Sequence, residues 1–255
     1  MTISGDFRAR VLRREFLAGT WLNLGSSVTA EMAGLAGFDW VLLDHEHGPG
    51  SDVTILQQLQ AVAATPAVCL VRIAANEPPR FKRVLDAGAH GVMVPYVSTA
   101  DEARSAVSSM RFPPRGLRGV AKLTRATAFG ANFDEYFSHA HEWLVTLTQI
   151  ETAEAVANAA EIAAVDGADV LFVGPMDLTT SLGIAGQYTH PKFVEALTSV
   201  SAAAKDAGKA AGILLLDPSL FEMVRDLDYT FVALGSDGGA VMSGLKQSLA
   251  TLRAR

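Results

Sequence analysis

The chain has 255 residues, 49% of them hydrophobic and 19% charged, with a formal net charge of −6. A chain of that size and composition buries a full core without disulfides or structural metal, which excludes a disordered polypeptide. No stripe of Lys and Arg with interleaved aromatics occurs, so nucleic acid is not an expected partner.

The arginines near the start (Arg8, Arg10, Arg13 and Arg14) read as a solvated helical face. The single cysteine, Cys69, sits inside AVCLV and reads as a small core hydrophobe. No apolar run reaches the roughly 18–20 residues of a membrane span. The opening MTISGDFRARVLRREF lacks the apolar segment of a signal peptide, so a cytoplasmic protein is expected.

Short, mostly continuous apolar runs recur along the chain. The first is GTWLNL (19–24) and the second DWVLLD (39–44). Ser51-Asp52 then opens the helical segment VTILQQLQAVAA. The third run, AVCLVRI (67–73), is followed by Pro78-Pro79, where Pro suits the first helical turn. After GVMVPY (91–96), Thr99 and Glu102 have capping-box spacing. A long connection rich in Gly, Pro and Arg, MRFPPRGLRGVAKLTRATAFGANFDEYF, precedes WLVTLTQ (143–149) and reads as an excursion over a barrel face. Thr152 opens AEAVANAAEIAAV, and DVLFVG (169–174) follows. Pro191 opens a helix that ends at Gly208, before AAGILLL (210–216). YTFVALG (229–235) is the last run, and Asp237 opens the final helix. Strand alternates with helix eight times, which predicts a (β/α)8 TIM barrel spanning residues 1–255 as one domain.

In such a barrel the C-terminal strand ends build the site. The second run ends in Asp44-His45-Glu46-His47 and the third at Arg72. The fifth ends in Gln149, with Glu151 two residues on, and the sixth in Gly174-Pro175-Met176-Asp177. Glu151 and Asp177 follow adjacent runs, so together they can ligate a hard divalent cation such as Mg2+, with Mn2+ or Co2+ as substitutes. Spacing alone leaves both open to an ordinary first-turn helix role. The free N–H groups of Met176 and Asp177 suit a carboxylate. Arg72 needs an anionic partner, either structural or a substrate. His47 is a candidate base, though a histidine there can equally be structural. None of the six lysines lies in a predicted strand, and only Lys122, in the long connection, could serve a Schiff-base mechanism. Carbonyl chemistry would therefore rest on a metal.

The segments WLNLGSSVTAEMAGLAGFDWVLLDHEHGP, VRIAANEPPRFKRVLDAGAHGVMVPYVSTADEA, FPPRGLRGV, QIET and VGPMDLTTSLG resemble the HpcH/HpaI family of class II pyruvate aldolases, in matching order from about residue 17 to the final helix. The resemblance implies a (β/α)8 barrel in a homohexamer whose subunits exchange C-terminal helices. It implies reversible aldol cleavage of a 4-hydroxy-2-oxo acid to pyruvate (or hydroxypyruvate) and an aldehyde. His47 would be the base, Asp86 its charge partner, and Arg72 the enolate stabiliser. Glu151 and Asp177 would hold the metal, and Gln149 would contact substrate or metal-bound water. Gly174 and Met176 would line the donor, with Trp21 and Leu216 shaping the acceptor side. Met176 stands where Ala or Ser is common, and His45 where Gly is common. A CoA-thioester lyase of the citrate lyase β-subunit type is the nearest alternative, and a catalytically silent barrel the next.

Overall fold

The computed structural model describes residues 3–254; Met1, Thr2 and Arg255 of the expected domain lie outside them. In chain order the elements are α1 (Asp6–Leu12), β1 (Leu17–Leu22), α2 (Ser27–Leu35), β2 (Trp40–Asp44), α3 (Asp52–Val62), β3 (Val68–Arg72), α4 (Pro78–Asp86) and β4 (Gly91–Val94). Then come α5 (Ala100–Met110), a 3-10 turn over Arg125–Gly130, α6 (Phe133–Trp143), β5 (Val145–Ile150), α7 (Ala153–Ala157), α8 (Ala159–Ala163) and β6 (Val170–Val173). The chain closes with α9 (Pro175–Ser181), α10 (Pro191–Asp206), β7 (Ala210–Leu215), a 3-10 turn over Pro218–Leu220, α11 (Phe221–Asp226), β8 (Phe231–Ser236) and α12 (Asp237–Arg253). The strands form a closed barrel in sequence order, every neighbouring pair parallel. This is the (β/α)8 architecture.

Continuous apolar strands follow from burial on both faces. One set of strand side chains packs outward against the helices, as Val41, Leu43, Val71 and Val173 do. The alternate set, including Trp40, Leu42, Leu70, Leu147 and Phe172, fills the interior. Trp40 stacks on Phe231 at 4.1 Å between ring centroids. That close fit requires Gly19, where a Cβ would collide with the Trp40 indole. Phe7 and Val11 of α1 join the interior cluster, so the first helix plugs the N-terminal end.

The arginines of this region do more than solvate a helix. Arg8 makes two hydrogen bonds to the fully buried Asp169 at the start of β6, at 3.0 and 2.8 Å. Arg10 pairs with Asp39 at 2.9 Å, and Arg14 with Asp228 at 2.8 Å. They pin α1 to the strand starts.

The predicted caps appear where the residues put them. Ser51 and Thr152 accept first-turn N–H groups, and Thr99 with Glu102 forms a capping box; the final helix opens at Asp237 as expected, with Ser236, which the sequence reading did not name, as its cap. Boundaries move where tertiary partners intervene. β1 begins at Leu17 because Leu17 N–H bonds to Thr230 O, and it ends at Leu22 because Asn23 N–H turns to the Asp237 carboxylate. The helix after β5 breaks at Asn158, whose amide reaches Ser98 O. Trp143 ends α6 instead of opening a strand, and its ring stacks on His139.

The long connection lies between the end of α5 and the start of β5, so it covers the N-terminal face. That placement takes Lys122 away from the strand ends that carry the chemistry; its ammonium sits over the Phe133 ring. α12 contacts β1 and β8, and beyond its first residues it stays exposed. Among the described residues no helix is long and apolar enough to cross a membrane.

Candidate functional site

The C-terminal strand ends surround a cavity of about 380 Å³. Its polar wall holds His47, Arg72, Gln149, Glu151 and Asp177. Trp21, Gly174, Met176 and Leu216 also line it, and Phe172, Leu214 and Met223 extend the apolar side. Nine of the ten site residues expected from sequence thus face one space.

The exception is Asp86. It ends α4, and because barrel helices run antiparallel to the strands, that end lies at the N-terminal face. Asp86 accepts a 2.8 Å bond from Arg118, itself bonded to Tyr136 Oη. Within this chain the expected Asp86–His47 pair is therefore corrected: Asp86 belongs to the Arg118 ion pair at the opposite end.

Arg72 ends β3 directly beside Asp44 of β2, its register partner. Its Nε and Nη2 donate to the two Asp44 oxygens at 3.0 and 2.8 Å, a bidentate fork. Burial opposes charge on Asp44, yet the Arg72 bonds hold its carboxyl below the ordinary value. Nη1 lies 2.8 Å from Glu46 Oε2 as an ion pair, without the alignment of a hydrogen bond. The guanidinium also stands 5.2 Å from the Trp21 ring centre. Burial pushes the Glu46 carboxyl up, against the attraction of Arg72. Arg72 is thus fixed on one edge, with three of its five N–H donors outside the fork.

Two histidines flank Glu46, and the structure separates them. His45 packs over Gly50 near Gln58, and burial lowers its pKa. His47 is on the cavity wall with its side chain 71% exposed, its Nε2 3.9 Å from Glu46 Oε2. The strand end makes this choice: Asp44 Oδ1 accepts the N–H groups of both Glu46 and His47, folding the segment back so that His47 reaches the rim.

Glu151, just past β5, is 2% exposed. Its Oε1 accepts from Gln149 Nε2 at 2.8 Å and its Oε2 from the Tyr96 N–H at 3.1 Å. Burial pushes its pKa up to about 7; the Tyr96 bond opposes that rise, while Asp177 and Glu46 add to it. Gly174 makes this packing possible, since a Cβ there would run into Glu151 Oε1. Asp177, in the first turn of α9, accepts the Tyr96 phenol at 3.2 Å. Tyr96 carries φ = 50°, a left-handed conformation that costs a bulky residue on the order of 1–3 kcal/mol.

Asp44, Glu46 and Tyr96 are site residues to which sequence reasoning assigned no role. Opposite charges at the ends of neighbouring strands were a usable signal for Asp44. Nothing in the letters VPYV marks a tyrosine at positive φ.

The HpcH/HpaI aldolase/citrate lyase family profile matches residues 17–244. The chain is 43% identical over 220 residues to the 4-hydroxy-2-oxo-heptane-1,7-dioate aldolase of Salmonella dublin, covering 86% of this chain and 83% of that one. It superposes on the crystal structure of an HpcH/HpaI aldolase/citrate lyase family protein from Burkholderia cenocepacia with a TM-score of 0.93 and 40% identity, covering 98% and 100% of the two chains. An HpcH/HpaI aldolase from Desulfitobacterium hafniense gives a TM-score of 0.90 at 27% identity, over 97% and 96%. This chain belongs to the HpcH/HpaI aldolase/citrate lyase family.

Proposed function

We propose that the chain is a divalent-metal-dependent aldehyde-lyase that reversibly cleaves a 4-hydroxy-2-oxo acid to pyruvate and an aldehyde, with hydroxypyruvate as a second donor. The observation that carries this reading is the convergence of Glu151, Asp177, Arg72 and His47 on one cavity.

The donor set fits a hard cation. Asp44 and Glu46 pair with the Arg72 guanidinium, while among the described residues Glu151 and Asp177 have no cation within ion-pair distance, and burial, with Asp177 and Glu46 nearby, pushes the Glu151 pKa up. Gln149 Oε1 is buried with no hydrogen-bond partner. Among the described residues no group of three or more His, Cys, Asp or Glu side chains is arranged for a metal, which argues against an all-protein cage. A pair of carboxylates with the remaining positions left to oxygens of water and substrate is how Mg2+ is commonly bound, and Mn2+ or Co2+ accept the same donors. Glu151 and Asp177 would hold it, and the bound cation supplies Lewis acidity toward the 2-oxo group.

The chain's own residues account for the rest. His47, at the open rim, takes the proton from the C4 hydroxyl. The C3–C4 bond breaks, the aldehyde leaves, and the electron pair remains on the pyruvate enolate. The Arg72 N–H groups outside the Asp44 fork would stabilise that developing charge; Asp44 holds the guanidinium in advance, so little reorganisation is needed. Return of the proton held by His47 to C3 completes pyruvate and restores the base. Trp21 and Phe172, with ring centres 5.5 Å apart, close the cavity toward the barrel interior, while Leu216 and Met176 border its opening.

The proposed assembly is a homo-oligomer, a hexamer by resemblance, with α12 exchanged between subunits and the chain acting as one cytoplasmic domain. Support for exchange comes from two apolar surfaces. Beyond its first turns α12 exposes Met242, Leu245, Leu249 and Leu252, and an apolar groove beside β1 and β8, lined by Leu22, Met32, Phe38 and Leu234 and on one side by Ala240 and Val241 of the start of α12, lies open on the barrel.

The test is exchange of the pyruvate methyl protons in D2O, followed by NMR. Exchange that needs Mg2+ or Mn2+ and disappears in His47→Ala is the expected result. Exchange that survives chelation, or none with any metal, would remove this reading.

A further inference from the structure

Among the described residues Tyr96 is the one that hydrogen-bonds to both acidic side chains proposed to hold the metal. Its N–H donates to Glu151 Oε2 at 3.1 Å, and its phenol donates to Asp177 Oδ1 at 3.2 Å. Glu151 follows β5 and Asp177 lies in the first turn of α9, so Tyr96, just past β4, ties together groups from two other elements.

Its backbone gives the reason for the reach. Five non-glycine residues among those described have positive φ: Arg14, Tyr96, Ala128, Phe129 and Asp228. The other four lie in connections at the N-terminal face; Tyr96 alone stands at the catalytic end. The left-handed turn splits two consecutive N–H groups, sending that of Tyr96 to Glu151 and that of Val97 to Gln149 O at 3.1 Å. Glycine would adopt this φ without strain. Tyrosine adds only a half-exposed ring and the phenol that reaches Asp177. Packing therefore does not explain the side chain, whereas the bond to Asp177 does.

We propose that Tyr96 is a positioning residue for the acidic pair, its backbone setting Glu151 and its phenol setting Asp177 before a cation binds. The proposal rests on the reading that these two carboxylates take a divalent metal. Each carboxylate has one oxygen oriented by Tyr96. Among the described residues Asp177 Oδ2 has no hydrogen-bond donor, which leaves it available as the ligating oxygen. Hydrogen bonds of this kind to a ligating carboxylate fix its orientation and are commonly worth 10-fold to 100-fold in metal affinity.

The experiment is calorimetric titration of Mn2+ into the metal-free full-length protein, with thermal unfolding measured in parallel. Tyr96→Phe keeps the ring, the φ and the N–H, and loses only the phenol. It is expected to weaken Mn2+ binding by roughly 10-fold to 100-fold while the metal-free unfolding midpoint stays put. Tyr96→Gly keeps the N–H and relieves the strained φ, and is expected to weaken Mn2+ binding similarly with an unchanged or higher midpoint. Glu151→Gln and Asp177→Asn separate the two layers of the argument. If they lose Mn2+ while Tyr96→Phe binds it within about twofold of wild type, the role of Tyr96 is overturned and the metal reading stands. If wild type binds no Mn2+, or the two acidic variants bind it as wild type does, both fall.

Discussion

The two ends of the barrel use the same residue types in opposite ways. At the N-terminal face each buried charge meets its complement: Arg8 meets Asp169, and Arg118 meets Asp86. At the C-terminal face Asp44 and Glu46 share the Arg72 guanidinium, while Glu151 is satisfied only by the neutral donors Gln149 and Tyr96, and Asp177 by the Tyr96 phenol. The first arrangement closes on itself and stabilises the fold. The second leaves negative charge buried and directed at a cavity, which costs stability unless a cation joins it. Ion pairing by itself therefore does not mark a site; the imbalance does.

Breaking the catalytic end should show first in turnover. Arg72→Lys keeps a cation beside Asp44 but loses the planar fork and its remaining donors. The expected result is a kcat lowered by roughly 10²-fold to 10³-fold in steady-state cleavage assays, the scale of a missing oxyanion donor. Near-normal turnover would remove Arg72 from enolate stabilisation.

The N-terminal end should answer in stability instead. Arg8→Ala strands the Asp169 carboxylate in the interior with the Thr146 N–H still bound to it. Denaturant unfolding should register a loss of about 3 kcal/mol, as when a buried pair is broken from one side, with Mn2+ affinity retained. A loss well under about 1 kcal/mol would mean that Asp169 is relieved by water or protonation, and the contrast between the ends would weaken.

The smallest effect expected concerns pH. Glu151 is raised from its ordinary 4.5 to about 7 in the folded, metal-free protein. The unfolded chain gives up that proton at lower pH, so this group's contribution to stability is full below about 4.5 and is lost as pH rises toward 7. The metal-free unfolding midpoint should drift downward across that window, and Glu151→Gln should flatten the drift. Mn2+ affinity should rise over the same window, because the cation must displace the proton. An affinity independent of pH there would place the ligand proton elsewhere.

The barrel was legible because strand burial, helix periodicity and caps are local properties. Ser51, Thr99 and Thr152 cap the helices they precede, whatever surrounds them. The polar residues at strand ends were legible for a related reason: a parallel barrel puts every strand's C-terminal end on one face, so His47, Arg72, Gln149, Glu151 and Asp177 had to converge. Which end a helix terminus faces is equally fixed by alternation, and it separates Asp86 from His47 of the same chain.

What remained was decided by contacts and backbone conformations that exist only in the folded chain. Arg72 is held by Asp44 because β2 and β3 are in register, and that pairing distance exists only in the folded sheet. His47 rather than His45 reaches the cavity because the Asp44 carboxylate bends the strand end. Tyr96 enters the site through a left-handed φ that its side chain disfavours, so no local propensity could announce it. Sequence alone determined the barrel and the face on which its chemistry lies, since both follow from periodicity and alternation. Only the tertiary structure determined how the charges on that face are shared, because electrostatic balance depends on distances and burial that the linear chain does not contain.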